Sequence, residues 1–201
     1  MTTRIILIDR ALVRIGADPL GSESAPGAET HIAVYQDVTE DLLTRHTWHF
    51  NTQTRQLNRL AAAPDQHWAY AYELPTEMLG SPRAVYDRAE TRAPFTRYEL
   101  FEERQLRTNA EAIWLKFQKA TPPVYWPGYF RSLVVLNLMA EFALSVREDR
   151  VLRNDLLEEC FGPPQMQGHG GKLAEARALS DMASPSPVLA EGENPLISAR
   201  M

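Results

Sequence analysis

The segment from Gly128 to about Arg147 constrains the fold more than any other part of the chain. Phe130, Leu133, Val134, Leu136, Leu138, Met139, Phe142, Ala143 and Val146 fall around most of a helix's circumference and not along a single stripe. A helix of that kind has almost no face to give to water, so other elements must surround it. The spacing therefore predicts a helical bundle with this segment at its centre. Burying one large apolar side chain contributes about 1.5 to 3 kcal/mol, so this helix dominates the expected stability. It is no membrane span: the run from Leu133 to Leu144 carries Asn137 and Glu141 and falls short of the roughly 20 residues a bilayer requires.

The surrounding helices announce themselves by period. Ile5, Ile8, Leu12 and Ile15 recur at helical spacing, predicting a helix over about residues 3–16 that Gly16 is placed to end. Asp18 to Ala28 collects Pro19, Gly21, Ser22, Ser24, Pro26 and Gly27 and reads as a loop. A second helix is expected over about 30–47, with Ile32, Tyr35, Val38, Leu42 and Leu43 on one side and Gln36, Asp37, Glu40 and Asp41 on the other. Trp48 and Phe50 follow as structural anchors that lock its end against the domain centre. Beyond the central helix, Val151, Leu152, Leu156, Leu157 and Cys160 predict a helix over about 149–160. Gly162-Pro163-Pro164 breaks it, the glycines from Gly168 to Gly171 read as a flexible junction, and a last helix is expected over 172–182.

Between the second helix and the central one the period shortens. Trp68 to Leu74, Arg83 to Tyr86, Thr96 to Phe101, Gln105 to Thr108 and Ala112 to Phe117 are short runs rich in β-branched or aromatic residues, separated by turn or charged residues. They predict one antiparallel sheet inserted over about 52–119, with a hairpin turning near Glu102-Glu103, before Pro122, Pro123 and Pro127 launch the central helix. Leu74 and Pro75 close the first run as further structural anchors. The expected class is α+β, mainly α: a helical bundle with a small inserted antiparallel sheet in one domain over 1–183. Residues 184–201, with Pro185, Pro187, Gly192 and Pro195, are expected to be a flexible, extended C-terminal tail.

Composition narrows the functional classes. With 201 residues, 44% hydrophobic and 23% charged, the chain has the make-up of a soluble globular domain, and a formal charge of -5 argues against direct DNA wrapping. Ile5 to Ile8 is interrupted by Asp9 and Arg10 far below signal-peptide length, so no export is expected. Cys160, the single cysteine, sits where a helical core face would run and reads as a buried thiol in a reducing cytoplasm. His46 and His49 lie three apart without a Cys or carboxylate at ligand spacing, so structural histidines and no metal are expected. Gly168-His169-Gly170-Gly171-Lys172 fails as a phosphate loop because Leu173 stands where Ser or Thr is needed. The adjacent pairs Glu102-Glu103 and Glu158-Glu159 diverge instead of converging on a substrate, and no Gly-x-Ser-x-Gly elbow is present. No catalytic residue and no cofactor are assigned. Arg83, Arg88, Arg92, Arg97, Arg104 and Arg107 enrich the insert in positive charge, read mainly as solvated faces or intersubunit pairs.

Five segments in order carry a family resemblance. Ala11-Leu12 with Ile15-Gly16-Ala17-Asp18-Pro19-Leu20, then Leu42-Leu43-Thr44-Arg45-His46-Thr47-Trp48-His49-Phe50, then Tyr72-Glu73-Leu74-Pro75 come first. Leu138-Met139-Ala140-Glu141-Phe142-Ala143 and Leu173-Ala174-Glu175-Ala176-Arg177 complete the run. The chain resembles the head-to-tail adaptor family of phages, the tail tubular protein A of short-tailed phages, with relatives among the connectors of long-tailed phages and gene transfer agents. The likeness spans nearly the whole globular part. It departs at Phe161 to Gly171, where similar proteins have a smoother helix pair, and after Ser184, which matches no motif of the family.

The resemblance implies a non-enzymatic virion protein of the head-tail neck, assembled in the host cytoplasm. It implies a ring, usually of twelve copies, bound beneath the portal protein and presenting a platform to a downstream tail or nozzle protein. Genome DNA would pass through the lumen without sequence-specific binding. Within that frame the tail is the expected portal-binding segment, through Pro185, Pro187, Val188, Leu189, Pro195, Leu196 and Ile197. Two readings from other classes compete. One is a small helical metal-dependent enzyme built on His46 and His49, and the other a DNA-packaging factor that binds nucleic acid through the arginines of the insert.

Overall fold

The computed structural model describes residues 3–62, 64, 67–89, 93–102 and 104–183. The described residues form helix α1 (Arg4–Arg14), helix α2 (Ala28–Thr44), strands β1 (Thr52–Gln56), β2 (Tyr70–Glu73), β3 (Met78–Tyr86), β4 (Tyr98–Phe101), β5 (Gln105–Thr108) and β6 (Trp114–Lys119), and then helices α3 (Gly128–Ser145), α4 (Arg150–Phe161) and α5 (Gly171–Met182). The class is α+β, mainly α, as the periodicities predict. The proposed tail, 184–201, lies outside the described residues.

α3 is the centre of the bundle. It packs against α1, α2, α4 and α5, and ten of its residues are buried, from Phe130 through Ala143. Tyr35 and Val38 of α2, Leu7 to Leu12 of α1, Leu156 and Cys160 of α4, and Leu173 and Ala176 of α5 complete the same core. Each helix ends for a local reason. At the close of α1, Gly16 takes φ 77° and the amides of Gly16 and Ala17 bond back to Val13 and Leu12 at 3.0 and 2.9 Å. Asp149 caps α4, its carboxylate accepting from the Leu152 amide at 2.9 Å.

The insert forms two sheets where one was expected. β1-β6-β3 and β2-β5-β4 are separate antiparallel three-stranded sheets, and the β4–β5 hairpin turns through Glu102 and Arg104 where the sequence places it. Tyr72 and Leu106 of one sheet and Val85, Leu115 and Phe117 of the other share a second core, distinct from that of the bundle. Two three-stranded sheets facing each other bury an apolar face each, which one sheet lying on the bundle could not do. Two strands escape the sequence pattern. β1, Thr-Gln-Thr-Arg-Gln, contains no apolar residue and pairs only at an edge. β3 starts at Met78, upstream of the expected Arg83, and runs through Gly80-Ser81-Pro82 by a register shift between Leu79 and Ala84; an edge strand tolerates proline and glycine there.

The turn between α4 and α5 is tightly packed and is not a slack junction. The Gly170 amide donates to Phe161 O at 2.8 Å, and Gly171 opens α5 at φ 57°. A Cβ on Gly171 would lie 2.7 Å from the Gly162 nitrogen and 2.9 Å from the Cys160 carbonyl carbon, both backbone atoms that cannot step aside. Gly171→Ala is therefore expected to cost about 3 kcal/mol through overlap and the positive φ together, read as a lower midpoint in urea unfolding.

Candidate functional site

Two features of the bundle have the make-up of functional machinery: a buried polar joint between helix and sheet, and an open groove on the opposite side of α2's sequence pattern. The joint centres on Gln118 of β6, which is fully buried. Its side-chain nitrogen, with two N–H groups to share, lies 2.9 Å from Leu43 O, 2.6 Å from His46 O and 3.0 Å from Asn51 Oδ1, and its oxygen accepts from Arg83 Nε at 2.6 Å. Arg83 also donates to Thr44 O at 2.7 Å. The last carbonyls of α2 have no partner within the helix, so an amide and a guanidinium delivered by the insert satisfy them.

Trp48 and Phe50 act beside this joint as the sequence suggests. Trp48 is fully buried, donates its indole N–H to Leu42 O at 2.7 Å, and meets the Phe130 ring edge-on at 5.0 Å, while Phe50 lies 4.9 Å from the same ring. Leu74 and Pro75 are buried as well, but Leu74 belongs to the core of the insert, so the four anchors serve two bodies and not one. The histidines do not converge. His46 bonds Asp181 of α5 at 3.1 Å, whereas His49 is exposed and its backbone N–H donates to Ser180 Oγ at 3.1 Å. No group of three or more His, Cys, Asp or Glu side chains among the described residues could hold a metal.

The insert's arginines have divided duties. Arg83 is spent on the joint, and the Arg107 guanidinium carbon lies over the Phe101 ring, 3.5 Å from its centroid. Arg92 lies outside the described residues, as do Pro185, Pro187, Val188, Leu189, Pro195, Leu196 and Ile197. Cys160 is buried in the bundle core, and burial pushes its thiol up to about 12, so it is no nucleophile at neutral pH.

The groove runs between α2 and α4 over α3, with a volume of about 800 Å³. Val34, Val38, Leu157 and Phe161 supply its apolar lining, and Asp37, Asp41, Glu141 and Glu158 bring four carboxylates against the single guanidinium of Arg45. Arg45 is held at one end, paired with Asp41 at 2.6 Å and stacked over Phe161 at 4.6 Å. Asn137 of α3, 5% exposed, lines the groove, and its side chain makes no hydrogen bond to another described residue. The sequence carries half of this signal, since α2 has four acidic residues and no Lys or Arg. The other half, that α4 turns Glu158 toward the same space, depends on the tertiary packing.

Removing the Gln118 amide strands the buried Leu43 carbonyl and the part-buried His46 carbonyl and takes one acceptor from Arg83, so Gln118→Leu is expected to destabilise by about 2 kcal/mol in urea unfolding. His46 adds a pH dependence. Burial against Trp48 lowers its pKa below the ordinary 6.5, and the opposing pull of Asp181 is the smaller effect. The folded state then binds fewer protons than the unfolded one, so this contribution is complete above about pH 6.5 and declines as pH falls toward the folded value. The thermal midpoint of the wild type is expected to drop more between pH 7 and pH 5 than that of His46→Gln. No family model matches this sequence, and no curated protein matches it.

Proposed function

We propose that this chain is a non-enzymatic virion component of the head-tail neck: an adaptor that forms a ring under the portal protein, extends the DNA channel and offers a platform to the next tail protein. The observation that carries the reading is where the five resembling segments fall. Ile15 to Leu20 is the turn that closes α1, Arg45 to Phe50 is the joint at the end of α2, Tyr72 to Pro75 closes β2, Leu138 to Ala143 is the middle of α3, and Leu173 to Arg177 opens α5. Segments that build the frame of a fold, taken in order, are a stronger resemblance than the same residues scattered on its surface.

The mechanics agree with the role. A ring subunit has to act by shape, and two separately cored bodies are tied here by the side chains of Gln118 and Arg83 bonding to the end of α2. Copies that contact head to tail close into a ring when the rotation per subunit divides a full turn. α5 ends beside the joint, with Ser180 and Asp181 bonded to His49 and His46, so the chain after Ala183 leaves from a fixed point on the body. In this reading the segment carrying Pro185, Pro187, Val188, Leu189, Pro195, Leu196 and Ile197 attaches to the portal, and twelve copies turn weak individual contacts into a stable joint.

The test is a truncation after Ala183 mixed with portal protein and imaged beside the full-length chain. The expected outcome is a folded truncation that no longer attaches, against full-length rings of portal symmetry. Absence of the full-length protein from purified particles would overturn the adaptor role, and full attachment by the truncation would overturn the role of its tail.

A further inference from the structure

The helical body carries, on two different faces, a groove and a surface that suit each other. The groove's free charges are acidic: Arg45 is taken by Asp41 and Glu141 lies 3.4 Å from Arg153, while Asp37 and Glu158 make no ion pair among the described residues. Its walls carry the apolar side chains of Val34, Val38, Leu157 and Phe161, and the amide of Asn137 lies at its base. An occupant must therefore bring an apolar side chain flanked by cations, presented at helical spacing so that it lies along the cleft between two helices.

α1 presents that pattern. Arg10, Val13 and Arg14 fall at i, i+3 and i+4 on one outward face, with Val13 56% exposed and both arginines exposed. Neither guanidinium makes an ion pair or hydrogen bond among the described residues, and two guanidiniums four apart on a helix repel each other. The one acidic residue of α1, Asp9, is committed elsewhere, accepting from the amides of Leu20 and Gly21 at 2.8 and 3.3 Å. No residue of α1 lines the groove, so one subunit cannot fill its own and a second copy can.

We propose that the groove between α2 and α4 receives the Arg10-Val13-Arg14 face of α1 from a neighbouring copy of this chain, Val13 packing on the apolar side chains of the two walls and the two arginines meeting Asp37 and Glu158. Because knob and groove are different patches, the contact is heterologous and propagates from copy to copy. This rests on the ring reading and supplies its contact surface.

The experiment is native mass spectrometry of the full-length protein over a concentration series at low salt, with two charge-reversal variants. One variant carries Asp37→Arg with Glu158→Arg, the other Arg10→Glu with Arg14→Glu; all four positions are exposed, and circular dichroism checks that each variant folds. Each variant alone is expected to need about tenfold or more higher concentration to assemble, and higher salt is expected to weaken the wild type. Mixed in equal amounts the two variants again have opposite charges at every contact, so assembly is expected to return in species containing both in a 1:1 ratio. Assemblies that persist unchanged in both variants, or a mixture that stays apart, overturn the groove contact and leave the ring reading standing. A wild type that remains monomeric at every concentration also overturns this contact, whereas the adaptor reading falls only on the particle analysis above.

Discussion

The side chain of Gln118 decides how the two bodies of this protein sit together. It is an uncharged amide at the end of a strand, buried on all sides, and it replaces the turn of helix that α2 lacks after Thr44. Without it the helix would end on carbonyls shut away from water, and such an end costs as much as the hydrogen bonds it fails to make. Arg83 doubles the constraint from β3, reaching both the Gln118 oxygen and Thr44 O. The insert is therefore part of how the bundle ends its second helix and is not an independent module hung from it.

That joint gives the rest of the structure its direction. Trp48 and Phe50 wedge against Phe130 immediately beside it, and Ser180 and Asp181 tie the end of α5 to His49 and His46 on its far side. Three elements distant in sequence thus meet at one corner of the bundle. The groove opens from the same corner, since Arg45 both borders it and accepts from Arg177 of α5 through its carbonyl. For a protein proposed to work by assembly, a rigid corner from which a docking groove and a chain terminus both depart is a sound arrangement: interface geometry is fixed before a partner arrives, so little ordering cost falls on association.

The helices were legible because their signal is local. Apolar positions at helical spacing, Gly16, the Gly162-Pro163-Pro164 break and the proline cluster before Gly128 mark the elements without reference to anything else in the chain, and the observed ends differ from the sequence reading by only a few residues. The insert was legible in part. β5 was placed by its own residues and the β4–β5 hairpin was placed despite a turn without Gly or Asn, but β1 has no apolar residue to declare it and β3 hides its first half in Gly80-Ser81-Pro82. Strand periodicity also cannot say how many sheets a set of strands makes, since alternation fixes which side is apolar and not what it faces. At the candidate site the same division holds: Trp48 and Phe50 were conspicuous, while Gln118 looked like any polar residue of a strand.

By itself the sequence determined that α3 is enclosed by other helices, that a β insert lies between α2 and α3 in the chain, and where most of the helices stop; each of these follows from side-chain period, helix breakers and the cost of wetting an apolar surface. Only the tertiary structure decided that the insert is two sheets around a core of its own, that the glycines between α4 and α5 pack tightly, and that acidic side chains of α2, α3 and α4 share one groove. The physical reason is range. Helix period and caps act over a few neighbouring residues, whereas sheet partners, backbone close approaches and the net charge of a cleft are set by residues tens to more than a hundred positions apart.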